Sequence, residues 1–413
     1  MNIQISGIRS SVRQGYDFIQ EVMDQLKAVG SVTPAVTARL RASAPEIWRD
    51  HVPLLLDLAQ GTLRAAAVGK DIPGWLFTTT SVQQATLPQI AAYHAEAFRG
   101  VHHVVEVCTG AGIDTLALSR VAGRVTTFEA DPVLAAIAES NLERAGVANV
   151  TVVSQAVPCE AYTEALATAD GLWADPSRRS SSARHRSTQE YQPPLSQFWH
   201  LPEHVQRLGI KTGPADRTES PLLDDVQQEY IGWSRECRER LLWRGCGQSG
   251  VTLVDVGVHM SLERELERGQ RVPPEVRPEP GMYLIEPHPA VMASGWVSEF
   301  FLKLSASVID ARIGYGLLPT DPGPSPWYQH FKIHSVESGI DRKRIQRAIR
   351  TLGWGSMTEI KKRGIDIDPM ELHSSLEFAA TPGAPAGVVV LVRGSHERYT
   401  IYSERSALAV NRS

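Results

Sequence analysis

The chain predicts an α/β fold, a doubly wound parallel sheet preceded by a helical region and followed by a smaller α+β domain. Three observations carry this. From about residue 101, short apolar runs alternate with helix-length runs, in "HHVVEVC", "IDTLALSRVAG", "RVTTFEA", "PVLAAIAESNLERAG" and "VTVVS". Alternation of that length means parallel strands joined by crossover helices. Gly110-x-Gly112 links the first strand to its helix, where a Cβ would hinder a tight turn and close approach of a ligand. Before residue 98 the apolar residues follow a helical period. The predicted divisions are a helical region at 1–98, the doubly wound domain at 99–267, a linker and small α/β subdomain at 268–330, and an α+β domain at 331–413.

In order along the chain, "DFIQEVMDQLKAVG" spaces Phe18, Ile19, Val22, Leu26 and Val29 for a helix that stops at Gly30. "RDHVPLLLDLAQGTLRAAAVG" and "TSVQQATLPQIAAYHAEAFRG" repeat that pattern. After the third strand comes "GLWAD", a fourth, and then a polar stretch from Ser180 to Pro194 that is long for a connection. Further strands are expected at "LGIKTG", "EYIGWS" and "SGVTLVDVG", with a helix at "CRERLLWR". "RGQRVPPEVRPEPG" has a linker's composition. Beyond it "GMYLIE" predicts a strand and "PAVMASGWVSEFFLKL" a helix. The last unit reads as strand "YQHFKIHSV", helix "DRKRIQRAIRTLG", strand "WGSMTEIKKRG", short helix "DPMELHSSL" and hairpin "AGVVVLVRGSHERYTIYSE".

Composition bounds the class. With 413 residues, 42% hydrophobic and 21% charged, the chain matches a soluble protein of more than one domain. Its four cysteines form no C-x-x-C pair, which argues against a zinc site or a disulfide scaffold, and the histidines show no metal-ligand spacing. Apolar runs such as "VVVLV" are too short to span a bilayer, and the first residues lack a signal-peptide core. The expectation is a cytoplasmic protein with reduced thiols, no metal and no membrane partner.

The glycine turn carries the chemistry. A dinucleotide site would want glycine at 115, where this chain has Thr115, and Glu106 precedes the turn. A carboxylate there suits a cationic amino group, which S-adenosylmethionine has and a nicotinamide cofactor does not. Cys108, Thr109, Gly110 and Gly112 make up the loop. Glu129 ends the second strand, where a carboxylate can bind ribose hydroxyls, with Ala130 beside it. Asp131-Pro132 reads first as a helix N-cap followed by proline at the first helical position. Gln155 and Ala156 follow the third strand, at an adenine edge or in a plain surface loop.

The order E-x-x-x-G-x-G, an acid ending strand two and Asp175-Pro176 ending strand four resembles class I S-adenosylmethionine-dependent methyltransferases over roughly residues 70 to 260. The strings "FTTTSVQQATLPQIAAYHAEAF", "VCTGAGIDTLALS", "ADPSRR", "GIKTGP", "YLIEPHPAVMASG" and "EIKKRGIDIDP" more narrowly resemble bacterial methyltransferases with a C-terminal THUMP-like domain, relatives of the trimethylguanosine synthase group. This resemblance implies a Rossmann-like methyltransferase sheet, S-adenosylmethionine as cofactor, and RNA as substrate and partner. It also implies that Asp175 and Pro176 form the catalytic turn, Asp175 lying against cofactor and acceptor alike.

In many amino-group methyltransferases of this class, Asp/Asn-Pro-Pro-aromatic orients the target amine and stacks its base. Here Ser177 and Arg178 replace the last two residues. Arg178 could stack through its guanidinium plane or grip a phosphate, and Arg179 extends the basic tract through Arg184, His185 and Arg186. Lys211 ends the fifth strand on the same side. Lys361, Lys362 and Arg363, with Lys343, Arg347 and Arg350 on one helix face, suit a phosphate backbone. Solvated arginines after a turn, and a solvated basic helix, are the plainer alternatives. At the level of function the alternatives are an RNA-binding protein that has lost catalysis, and a methyltransferase acting on protein or a small molecule.

Overall fold

The computed structural model describes residues 8, 12–30, 32–178, 187–218, 223–261 and 272–406. The chain forms two compact units, one of Met1–Glu229 with Glu239–Ser249 and the other of Tyr230–Arg238 with Gly250–Ser413.

The first unit opens with helices α1 (Tyr16–Val29), α2 (Pro34–Ser43), α3 (Glu46–Arg49), α4 (Val52–Ala67), α5 (Thr79–Gln84) and α6 (Pro88–Glu96). α1 ends as its sequence predicts, with Gly30 left-handed at φ 79°. Its buried face, Ile19, Val22, Met23 and Leu26, packs with Trp48, Val52, Leu55 and Leu58 in one apolar cluster. Full burial of each such side chain contributes about 1.5–3 kcal/mol. α2 and α3 were not among the expected helices.

Strands and helices then alternate: β1 (His103–Val107), α7 (Ile113–Ser119), β2 (Arg124–Phe128), α8 (Pro132–Arg144), β3 (Val150–Val153), α9 (Glu160–Leu166), β4 (Gly171–Ala174) and β5 (Arg207–Thr212). β6 (Gln227–Trp233) and β7 (Glu236–Arg244) follow. Within the first unit the strand order is β3-β2-β1-β4-β5-β7. β1 to β5 are parallel and β7 runs antiparallel to β5. The predicted doubly wound sheet is therefore present. Ile137 of α8 belongs to the apolar cluster of the N-terminal helices, so those helices and the sheet domain share a core.

Two side chains fix this packing. Asn141 on α8 is fully buried, accepts from Leu76 N–H at 2.8 Å, and donates to Leu76 C=O at 3.0 Å and Ala111 C=O at 3.1 Å. It ties the segment before α5 to the glycine turn. Gly209 on β5 lies between Trp173 and Trp243, whose ring centroids are 5.7 Å apart. A Cβ there would come 2.3 Å from the Trp243 ring and 2.7 Å from the Trp173 ring.

The expected helix at 237–244 is corrected. "CRERLLWR" forms strand β7, not a helix, and Glu239, Arg240, Leu241, Leu242 and Trp243 are all buried. Its charged residues find partners inside: Arg240 donates to Thr212 Oγ1 at 3.0 Å, to Asp216 C=O at 2.9 Å and to Thr218 Oγ1 at 2.6 Å. Tertiary pairing overrides a charge spacing that resembles a solvated helix.

The second unit holds β8 (Gly250–Leu253), β9 (Val258–Met260), β10 (Tyr283–Pro287), β11 (Ser307–Val308), β12 (Gly316–Leu318), β13 (Tyr328–Ser338), β14 (Glu359–Arg363), β15 (Val388–Arg393) and β16 (Arg398–Arg405). β10 to β16 make one sheet of order β11-β12-β10-β13-β16-β15-β14. Its helices are α10 (Pro289–Ser294), α11 (Val297–Lys303), α12 (Arg342–Leu352) and α13 (Pro369–Ser374). "PAVMASGWVSEFFLKL", expected as one helix, is two, because Gly295 turns left-handed at φ 76° and ends α10. Lys361 on β14 reaches Glu286 on β10 at 2.8 Å although three strands lie between them in the order, so this sheet curls on itself.

Candidate active site

The site is built by register. Val107 of β1 pairs with Phe128 of β2 and with Ala174 of β4, and Ala174 pairs with Ile210 of β5. The next residue on each strand is Cys108, Glu129, Asp175 and Lys211. Cys108, Glu129 and Asp175 therefore leave their strands in one row at the carboxyl edge, and Lys211, still paired with Leu241 of β7, stands at the same level. The strand order reverses between β1 and β4 there, the crevice in which open α/β sheets bind ligands.

The loop after β1 needs special backbone geometry. Cys108, Gly110 and Gly112 have φ of 71°, 56° and 92°, a region costly for residues with a Cβ. A Cβ on Gly110 would meet nothing within 4 Å, so this part of the loop faces open space. Glu129 clamps the loop to β2: one carboxylate oxygen accepts from Gly110 N–H at 2.8 Å and the other from Asp131 N–H at 3.0 Å. Burial raises its pKa, against the pull of those backbone donors. The carboxylate keeps acceptor capacity for a further donor. Asp131 caps α8 as its sequence predicts, accepting from Val133 N–H at 2.8 Å and Leu134 N–H at 3.3 Å. Ala130, Gln155 and Ala156 are exposed beside this edge.

Glu106 lies beneath the loop and is 1% exposed. Thr115 donates its hydroxyl to the Glu106 carboxylate at 2.6 Å, and Thr109 and Thr127 share a hydroxyl contact at 2.5 Å. Burial pushes the Glu106 pKa up to about 8, against the hydroxyls of Thr115 and Thr127. Thr115, the residue that departs from the dinucleotide fingerprint, is thus the acid's hydrogen-bond partner. The Cys108 thiol is also held protonated by burial, far above its ordinary value, with the Glu129 and Asp175 carboxylates adding to the shift.

At the end of β4, Asp175 keeps 27% of its side chain exposed and pairs with Lys211 Nζ at 2.7 Å. Lys211 also donates to Thr86 Oγ1 at 2.8 Å and lies 3.7 Å from Glu239. Behind it, His94 lies between Asp114, at 3.2 Å, and Glu239, and Thr86 donates to Asp114 at 2.5 Å. Burial opposes a charged His94, yet Glu239 and Asp114 hold its pKa up to about 9. Burial likewise raises Asp175, while Lys211 pulls it back. His94, Asp114, Glu239 and Thr86 were not singled out in the sequence. They come from α6, α7, β7 and the α5–α6 connection, and only the fold joins them.

Pro176 is buried, and Ser177 exchanges two backbone bonds with Gln192, at 2.9 and 3.0 Å. The Tyr191–Gln192 segment therefore runs beside the Asp-Pro turn. Tyr191, fully buried, donates its hydroxyl to Asp216 at 2.5 Å. Arg178 NH1 lies 4.0 Å from the same carboxylate, leaving 30% of the side chain exposed. Arg179, Arg184, His185 and Arg186 fall outside the described residues. Lys361, Lys362 and Arg363 belong to the second unit. There Lys361 and Arg363 face Glu286, at 2.8 and 3.7 Å, and Lys362 is exposed. On α12, Arg350 pairs with Glu377, and Lys343 and Arg347 line the same shallow groove. Among the described residues no group of three or more His, Cys, Asp or Glu could hold a metal ion, and no helix is long and apolar enough to cross a membrane.

No family model matches the chain. It is 28% identical over 374 residues, 88% of this chain and 98% of the relative, to an uncharacterized S-adenosylmethionine-dependent methyltransferase of Mycobacterium tuberculosis, found in strains CDC 1551 / Oshkosh and ATCC 25618 / H37Rv alike. A crystal structure from Porphyromonas gingivalis W83, provisionally described as a methyltransferase, superposes with TM-score 0.71 at 14% identity, over 95% of this chain and 99% of that one. Sheet, glycine loop and comparisons agree on one conclusion: the chain has the fold of class I S-adenosylmethionine-dependent methyltransferases.

Proposed function

We propose that the protein is an S-adenosylmethionine-dependent methyltransferase that methylates an amino nitrogen of an RNA nucleobase. The observation that carries this is the single row of Glu129 and Asp175 beside an open glycine loop. The cofactor fits these residues. Gly110 leaves room for close approach, and Glu129 keeps acceptor capacity for a ribose hydroxyl. Gln155 and Ala156 would border the adenine, and Glu106, protonated while the site is unfilled, would give up its proton on meeting the cationic amino group. When bound, the cofactor supplies an electrophilic methyl group on a sulfonium.

The chain's own part is orientation. The Asp175 carboxylate accepts an N–H from the acceptor amine, which aims the nitrogen lone pair, and such positioning supplies a large share of catalysis in a displacement. Cys108, held as a thiol, is no nucleophile, which favours direct attack by the acceptor. RNA as acceptor rests on the basic face of α12 and on Lys361, Lys362 and Arg363. A THUMP-like character for this unit belongs to the same proposal, but the expected boundary at 330/331 falls inside β13, and the sheet of β10 to β16 runs across it.

Calorimetry with S-adenosylhomocysteine tests the cofactor half. Wild type should bind, Glu129→Ala should lose binding, and a wild type that does not bind would overturn the reading. Transfer of labelled methyl to total tRNA or rRNA tests the acceptor half; transfer unchanged in Asp175→Ala would remove Asp175 from the site. The reading with no catalysis is favoured by Ser177-Arg178 in place of proline-aromatic. It predicts RNA binding without transfer.

A further inference from the structure

The rim carries more charge than the methyl transfer needs, and it is organised around one amine. Lys211 reaches Asp175 at 2.7 Å, Thr86 at 2.8 Å and Glu239 at 3.7 Å with only 8% of its side chain exposed. An ammonium so enclosed does not swing out to a substrate. Its partners form a closed chain, Thr86 to Asp114, Asp114 to His94 and His94 to Glu239. Among the described residues, the charged groups that act most on Asp175 are Lys211 from β5, Asp114 from α7 and Glu239 from β7, with His94 behind them and the buried Glu106 of β1 nearby.

We propose that Lys211 is a positioning residue, fixing the Asp175 carboxylate in one orientation and in its ionised form as the N–H acceptor for the methylated amine. This rests on the methyltransferase reading above. Protonated, Asp175 would offer a donor where an acceptor is required. Ionised and bonded to Lys211, it presents its remaining lone pairs to the amine.

In the transfer the acceptor nitrogen's lone pair forms the new N–C bond and the pair of the methyl–sulfur bond stays on sulfur. The proton then shed by the nitrogen passes to Asp175 and on to solvent through its exposed edge. The acceptor nitrogen must therefore arrive neutral and carry an N–H, because a protonated amine has no lone pair with which to form the N–C bond.

The charge balance gives signed consequences. Asp114 and Glu239 keep His94 when Lys211 is removed, whereas the ion pair with Lys211 is the contact that Asp175 makes to a cation. The lost charge is then felt chiefly at Asp175. Burial already favours its protonated form and Lys211 opposes that. Removing Glu239 acts the other way, by withdrawing a repelling carboxylate.

The test uses the full chain with carbon-13 in its aspartate carboxyl groups, the Asp175 resonance being identified by its loss in Asp175→Asn. Titration followed by NMR reads ionisation directly, with no methyl acceptor. Lys211→Met should move the Asp175 midpoint up by about one to three pH units, Glu239→Gln should move it down, and Lys211→Arg should stay near wild type. An unchanged midpoint in a Lys211→Met protein with native circular dichroism would overturn the proposal, and so would an upward shift in Glu239→Gln. The Glu239→Gln arm decides the matter if Lys211→Met does not fold. Failure of wild type to bind S-adenosylhomocysteine would sink the methyltransferase reading alone, leaving the titration interpretable as an ion pair without that function.

Discussion

Glu106→Gln should stabilise the fold progressively as pH rises while weakening cofactor binding. Glu106 is 1% exposed, and burial lifts its pKa from the ordinary 4.5 to about 8. A carboxyl whose folded pKa is raised binds its proton more tightly folded than unfolded. Folding is therefore unpenalised below the ordinary value, and stability is lost as pH climbs towards 8. One pH unit is worth about 1.4 kcal/mol, so between about pH 5.5 and pH 8 this acid alone removes on the order of 3 kcal/mol. Glutamine keeps the shape, can still accept from Thr115, and does not ionise.

The assay is urea unfolding of wild type and Glu106→Gln at both pH values, followed by circular dichroism. The stability difference should grow in the variant's favour by a few kcal/mol at the higher pH. Calorimetry should show weaker S-adenosylhomocysteine binding in the same protein. A stability difference independent of pH would show that Glu106 is not a buried, protonated acid, and the account of the loop's foundation would fail.

Other outcomes follow from the same geometry. His94→Gln should flatten a second pH dependence. A histidine raised to about 9 contributes stability fully present below its ordinary 6.5 and lost as pH rises through 9, so alkaline thermal melts of wild type and variant should converge. Gly209→Ala should destabilise by about 1–3 kcal/mol or more, because the new methyl group would overlap the Trp173 and Trp243 rings; thermal melting that matches wild type would refute that packing. Asn141→Leu should cost on the order of 2–5 kcal/mol by stranding the Leu76 amide and two carbonyls, read as a lower urea midpoint.

The residues of the rim were legible in the sequence because each sits at a fixed place in a local pattern. Glu106, Gly110, Gly112, Glu129 and Asp175 all follow or end a short apolar run, and a run of that kind fixes where its strand surfaces. Asp131 announced its cap through the proline behind it. The ionic network behind Asp175 was not legible. His94 and Asp114 look like ordinary helix residues, and Glu239 sits in a charged segment whose spacing suggests solvent. A strand buried on both faces normally reads as continuously apolar. β7 departs from that because Glu239 pairs with His94 and Lys211 and Arg240 is hydrogen-bonded by Thr212, Asp216 and Thr218, so no local window contains the reason. The turn of "ADPSRR" was placed by its strand, whereas the segment that pairs with Ser177 arrives from Gln192 by tertiary contact.

The common register of Val107, Phe128, Ala174 and Ile210 has a consequence for how this protein can vary. Loops between the strands can lengthen or shorten at little cost, because each strand re-enters the sheet by its own hydrogen bonds. Loss of one residue inside β1, β2, β4 or β5 has no such tolerance. It would turn every side chain beyond the gap to the opposite face and withdraw Cys108, Glu129, Asp175 or Lys211 from the line. Homologous chains that keep this chemistry should therefore differ in length between these four strands and hardly ever within them.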